Sequence, residues 1–141
     1  MTERQQPGWV TDHIQRYLAS NGQDGHIWNG VPTLLLTTTG RRSGKPRTTP
    51  LIYGQSGQPP FYIVVASRGG ARHHPSWYLN LADTPQVRLQ VGADCIDATA
   101  RTASDAEKPA LWNLMAEIWP AYNDYQAKTA RVIPVVILEP A

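Results

Sequence analysis

Between residues 32 and 140 the chain repeats one device six times: a short apolar run, then glycine, proline or a polar turn. The runs are PTLLLTTTG (32–40), RTTPLIYG (47–54), PFYIVVAS (60–67), QVRLQVG (86–92), DCIDATART (94–102) and IPVVILEP (133–140). Each is too short for a buried helix, and each has strand composition. QVRLQVG alternates, with Val87, Leu89 and Val91 on one face. Gly92-Ala93 pairs it with the run that follows, and GQSGQPP makes a hairpin turn between the second and third runs. No apolar run approaches the length of a membrane span.

Helical spacing occurs elsewhere. Trp9, Val10, His13, Ile14, Tyr17 and Leu18 predict an amphipathic helix over 9–19, which NGQDG ends. SWYLNLAD (76–83) predicts a second. Ser104 and Glu107 form a capping box ahead of the stripe Leu111, Leu114, Met115, Ile118 and Trp119, and Pro120 stops that helix. AYNDYQAKT adds a shorter piece before the last strand. The expected fold is therefore α+β, a six-stranded antiparallel barrel with added helices. The chain has 141 residues, 41% of them hydrophobic, which supports one core and not two. Residues 1–24 read as an N-terminal amphipathic helix and linker, and 25–141 as a single barrel domain. Packing on the core is the expected role of that helix, with a pocket cap or a peripheral membrane contact as alternatives.

The charges are unevenly placed. The net charge is only +2, yet no Asp or Glu occurs from Gly25 through Ala82. That stretch holds Arg41, Arg42, Lys45, Arg47, Arg68 and Arg72, with His26, His73 and His74. A local positive field within a near-neutral protein suits a small anionic ligand. The loop GRRSGKPRTTP (40–50) is not a nucleotide P-loop: three residues separate Gly40 and Gly44, Pro46 follows Lys45, and a strand rather than a helix comes next. Its glycines still let backbone N–H groups approach an anion, and its arginines form forked bonds to phosphate or carboxylate. ASRGGARHHPSWYLN (66–80) has a similar character, with aromatic Trp77 and Tyr78 added. Together the two loops suit a large anionic cofactor, one holding a tail and the other a ring and its phosphate.

Other chemistries find little support. Adjacent His73 and His74 lack spaced partners for a metal, and none is expected. No G-x-S-x-G motif or Ser-His-Asp grouping stands out. Single-stranded nucleic acid is an alternative ligand for a small basic barrel, although the aromatic cluster IWPAYNDY lies far in sequence from the basic loop. Cys95, the one cysteine, reads as a packed core thiol, and a lone thiol fits a reducing, cytoplasmic setting. The N-terminus lacks the apolar segment of a signal peptide. Trp119, Tyr122 and Tyr125 recur every three residues around a helix break. Trp119 completes the core stripe, while the Tyr122 and Tyr125 hydroxyls are expected to face a cavity, where a phenol orients a substrate or donates a proton.

GRRSGKPRTTPLIY, VVASRGGARHHPSWYLNL and WPAYNDYQAKT…IPVVILEP together resemble the deazaflavin (coenzyme F420)-dependent nitroreductase and quinone reductase family, whose members are split β-barrels of the FMN-binding type. The resemblance spans roughly residues 30–140. It implies that Arg41, Arg42, Ser43, Gly44, Lys45, Arg47 and Thr48 hold the coenzyme's acidic tail and phosphate, with Pro50 beside the ring. It also implies that Ala66, Ser67, Arg68, Gly69 and Gly70 contact the deazaflavin and phosphate, and that Trp77, Tyr78 and Asn80 complete the cofactor site. Trp119, Tyr122 and Tyr125 would line the acceptor side, with Tyr122 and Tyr125 catalytic. Arg42 stands where the family often has Lys, and Trp119 where it often has Tyr. The implied reaction is hydride transfer from reduced coenzyme F420 to a quinone, an α,β-unsaturated ester or lactone, or a nitroaromatic. A homodimer is a further implication of the fold. An FMN- or haem-binding barrel, a non-enzymatic carrier and a nucleic-acid module are the alternatives at this point.

Overall fold

The computed structural model describes residues 8–141. Four helices, α1 (Gly8–Ala19), α2 (Ser76–Asp83), α3 (Lys108–Ile118) and α4 (Ala121–Lys128), surround one sheet. Its strands are β1 (Ile27–Trp28), β2 (Val31–Thr39), β3 (Pro46–Ile52), β4 (Gly54–Ser56), β5 (Phe61–Val65), β6 (Gln86–Val91), β7 (Asp94–Thr102) and β8 (Val135–Pro140). The expectation of six strands needs correction to eight. The two-residue β1 is too short to carry an alternation. The run 47–54 divides at Tyr53, whose buried ring turns into the core.

That division closes the barrel. All pairings are antiparallel, in the order β1-β2-β6-β7-β8-β5-β4, with β3 also on β2. β3 pairs with β2 and β4 with β5, at opposite ends of the sheet, yet only Tyr53 separates β3 from β4. One residue therefore joins the two ends, and the sheet curls into a split barrel. β3 bonds β2 alone, which is why a strand can carry both Pro46 and Pro50. β2 and β3 meet through the basic loop, where Gly40 N–H donates to Lys45 O and Gly44 N–H to Gly40 O, both at 2.8 Å. Gly44 adopts φ +70°, which glycine takes without steric cost.

β8 shows how the core is layered. All of Val135–Leu138 are buried, because both faces of this strand are covered. Val136 and Leu138 point into the barrel with Leu34, Leu36, Val64 and Leu89. Val135 and Ile137 point the other way, to a second cluster with Ile63, Val65, Met115 and Tyr122 that α3 and α4 cover. The capping box at α3 forms as read: Ser104 N–H donates to Glu107 Oε1 (3.0 Å) and Glu107 N–H to Ser104 Oγ (3.3 Å). The paired bonds from Arg101 to Glu107, with those from Ser104, pull the Glu107 carboxyl down to about 2.

α1 packs on the barrel through Tyr17, which is fully buried. Its hydroxyl lies 3.1 Å from Thr33 O and 3.2 Å from Gln90 O, and accepts from Gly92 N–H at 2.7 Å. Trp9 and Leu18 of the same helix are exposed. Residues 1–7, within the expected N-terminal segment, lie outside the described residues. Cys95 is also corrected: its thiol is exposed. Ala98 and Ala100 take the barrel-facing phase of β7, and Cys95 falls on the opposite phase with Asp97 and Thr99. No helix among the described residues is long and apolar enough to cross a membrane.

Candidate functional site

A cavity of about 440 Å³ opens beside the barrel, walled by β3, the loop after β5, α2, α4 and the N-terminal α1–β1 segment. Eight of the expected site residues meet there: Pro50, Ser67, Arg68, Gly69, Trp77, Trp119, Tyr122 and Tyr125. Thr49, Leu51, Ile52, Val65 and Pro75 add apolar wall. The remaining expected residues do not line this cavity.

The loop after β5 has an unusual backbone. Arg68, Gly69 and Gly70 are all left-handed, with φ of 45°, 62° and 80°. For a residue with a side chain, such as Arg68, this costs about 1–2 kcal/mol. Gly70 is buried against α4, and a Cβ there would stand 2.7 Å from Tyr125 O and 3.0 Å from Tyr125 Cα. Gly69 faces open space on the cavity side. Ala66 is fully buried and anchors the start of the loop, its N–H donating to Pro134 O at 3.0 Å.

The basic loop stands at the far end of β3. From Pro46 to Pro50 is four residues of strand, about 13 Å at 3.3 Å per residue. Arg42, Ser43, Gly44, Lys45 and Arg47 are exposed there, with Thr48 half-buried. Arg41 is turned inward: its N–H and Nη1 both donate to Asn80 Oδ1, at 3.2 and 2.8 Å. Asn80, only 1% exposed, uses Nδ2 to bond Thr38 Oγ1 at 3.2 Å. This pair ties the basic loop to α2 and so fixes where Trp77 stands. Tyr78 points to β7 instead, its hydroxyl 2.8 Å from Thr102 Oγ1.

The opposite wall is aromatic. Trp119 packs on Trp28 with ring centroids 5.7 Å apart, and its Nε1–H donates to the Tyr125 hydroxyl at 3.3 Å. Tyr122 is 5% exposed, set edge-on to Tyr125 at 6.1 Å. Its hydroxyl bonds no protein group among the described residues and borders the cavity. Burial, and then the neighbouring Tyr125, push the Tyr122 phenol well above its ordinary value, so it stays an O–H donor throughout the neutral range.

Several residues of the site escape sequence reasoning. Trp9 and His13, four apart on α1, and Trp28 on β1 line the cavity. The Trp9–His13 spacing was visible as a helix face, but nothing local said which surface that face would meet. Arg131, between α4 and β8, carries no sequence motif either. It donates to the carbonyls of Ala66, Ser67 and Ala71 and contacts His74. Among the described residues, no cluster of His, Cys, Asp or Glu has the makings of a metal site.

Comparison with known proteins identifies the relatives of this arrangement. The profile of the F420H(2)-dependent quinone reductase family matches residues 9–140. An F420H(2)-dependent quinone reductase of Mycobacterium tuberculosis is 40% identical over 130 residues, covering 89% of this chain and 86% of the relative. A solved F420-H2 dependent reductase is 44% identical with a TM-score of 0.69, over 77% of this chain and 94% of its own. Another solved structure, a domain-swapped dimer, is 41% identical with a TM-score of 0.72, over 93% of this chain and 97% of its own.

Proposed function

Since this chain belongs to the F420H(2)-dependent quinone reductase family, and is thus an oxidoreductase that uses the deazaflavin coenzyme F420, we propose that it passes a hydride to a quinone held against Trp28, Trp119, Tyr122 and Tyr125. The observation that carries this reading is the shape of the cavity. A glycine-bearing loop of cationic character forms one wall, and facing it is an aromatic wall that includes the buried ring of Tyr122, whose hydroxyl bonds no protein group among the described residues.

The residues present fit the coenzyme. Pro50, Leu51, Val65 and Trp77 offer an apolar slot for a flat ring, and open backbone at Gly69 lets it approach closely. Arg68 at the cavity, with Arg42 and Lys45 in the loop ahead of β3, provides positive charge where no Asp or Glu occurs in the sequence from residue 25 to 82. Arg41 acts less directly, since its Nη1 is engaged by Asn80 and Ser76 O.

When bound, the reduced coenzyme supplies the hydride; the protein supplies binding, orientation and electrostatics. Reduction of a quinone to its quinol takes a hydride and one proton, two electrons in all. Trp28 and Trp119 present apolar faces suited to a flat acceptor and exclude water. The Tyr122 hydroxyl, held protonated by its burial, donates a hydrogen bond to a carbonyl oxygen and stabilises the charge that develops there, while the proton comes from solvent. Tyr125, whose oxygen accepts from Trp119, has its O–H left to donate to the second oxygen of the acceptor.

The test is steady-state oxidation of reduced F420 with a quinone, an α,β-unsaturated lactone and a nitroaromatic. The quinone is expected to lead in kcat/KM by about tenfold or more. A nitroaromatic leading by the same margin would overturn the choice of acceptor. The placement of the coenzyme's acidic tail has its own check. Arg42→Ala combined with Lys45→Ala is expected to weaken F420 binding about tenfold in a fluorescence titration, the scale of lost charge-assisted hydrogen bonds. Unchanged affinity in that variant would move the tail elsewhere.

A further inference from the structure

Arg131 is a half-buried arginine that pairs with no carboxylate among the described residues. Instead, its guanidinium grips one loop. Nε donates to Ala71 O at 2.9 Å, Nη1 to Ala66 O at 3.1 Å, and Nη2 to Ser67 O at 2.8 Å. Nη1 also lies 2.9 Å from His74 Nδ1. Burial and the Arg131 charge hold His74 below its usual value, so the ring is neutral and accepts at Nδ1. The segment carrying Arg131 is itself pinned by Gln126, which donates to Arg131 O at 2.7 Å and accepts from Ile133 N–H at 2.9 Å.

Peptide planarity gives this grip a direction. In a trans peptide the C=O of one residue and the N–H of the next point opposite ways. Drawing Ala66 O and Ser67 O toward Arg131 therefore turns the Ser67 and Arg68 N–H groups away from it. Ser67 and Arg68 line the cavity, and neither amide bonds a protein group among the described residues. The same grip spans the left-handed run from Arg68 to Gly70, which would otherwise relax.

We infer that Arg131 is the positioning residue of the coenzyme loop: its fork fixes the Ala66–Ala71 backbone so that the Ser67 and Arg68 N–H groups meet an anionic group of the coenzyme. This rests on the reading that the loop binds F420. Arg131 does so without touching ligand, and lysine cannot replace it, because a single ammonium cannot reproduce the planar fork that meets three carbonyls at once.

The experiment compares wild type, Arg131→Lys and His74→Ala in the full chain. Oxidised F420 is titrated by fluorescence, and amide hydrogen exchange is measured without ligand at Gly70 and Ala71, whose N–H groups donate to Ser67 O and Arg68 O within the gripped loop. Arg131→Lys is expected to lose about thirtyfold in F420 affinity and to exchange those amides about tenfold faster. Its kcat at saturating coenzyme and its KM for the quinone should stay within about threefold of wild type, whereas a merely structural residue would move all of them together. His74→Ala removes one contact of the fork, and a smaller loss of about threefold is expected, which keeps the inference open to test if Arg131→Lys folds poorly. F420 affinity within about twofold of wild type in Arg131→Lys, or unaltered exchange at Gly70 and Ala71, would overturn the inference. Failure of the wild type itself to bind F420 would instead refute the cofactor placement, and the exchange measurement would still decide whether Arg131 holds the loop.

Discussion

Gly70→Ala is expected to destabilise the protein by about 2–5 kcal/mol, the sum of a left-handed backbone penalty and an overpacking cost. In thermal unfolding this is a fall of roughly 10 °C or more. The cause is specific. A Cβ at residue 70 meets the backbone of Tyr125, at 2.7 Å from its oxygen, and backbone cannot swing aside as a long side chain would. The structure can relieve the contact only by moving α4 away from the loop, which carries Tyr122 and Tyr125 out of place. Turnover should therefore fall along with stability. Gly69→Ala is the control: its φ is also positive, at 62°, but the space beside it is open. That variant should show only the backbone cost, about 1–2 kcal/mol. Equal stability of the two variants would mean that loop and α4 are not in rigid contact.

Tyr122→Phe is expected to lower kcat about a hundredfold, the low end of what a preorganised donor to developing negative charge contributes, while F420 affinity stays within about twofold. Two features of the site set this result apart from general damage. The Tyr122 ring is buried and its hydroxyl bonds no protein group among the described residues, so removing the oxygen leaves no orphaned partner and the thermal midpoint should hold. The phenol's raised pKa also keeps the donor protonated across the neutral and mildly alkaline range, so wild-type kcat should show no fall there from Tyr122 ionising. Tyr125→Phe should have the smaller effect, because Trp119 already engages that oxygen. A Tyr122→Phe enzyme that turns over at the wild-type rate would show that the acceptor's oxygen is not held by this hydroxyl.

What could be read in advance, and what could not, divides by the range of the interaction involved. The β6–β7 hairpin, the capping box and the Pro120 stop are written in neighbouring residues, and they formed as read. The break at Tyr53 was not legible, because it answers to a change of partner between opposite ends of the sheet. Nor was β1, which exists through its pairing of Ile27 and Trp28 with Pro32 and Val31. Cys95 was misjudged because a strand's period identifies two faces without saying which is inward. At the site, the residue types that meet in the cavity came from clustered motifs. Arg131 carries no such motif: an isolated arginine after a helix reads as solvent-facing until the carbonyls of a loop some 60 residues earlier in the chain are folded against it. Asn80, expected at the cofactor, is also buried beneath Arg41, a contact between the basic loop and α2 that no local pattern announces.

The most direct test of the central claim is a crystal structure of the protein with oxidised coenzyme F420. The deazaflavin ring should lie in the cavity between Pro50, Trp77 and the Ser67–Gly69 loop, with its acidic tail running along β3 toward Arg42 and Lys45 and with Tyr122 facing the ring across the acceptor space. A ring seated outside this cavity, for instance in the cleft between Asp12, Arg16 and Asp24, or a tail directed away from the basic loop, would contradict the assignment of the site.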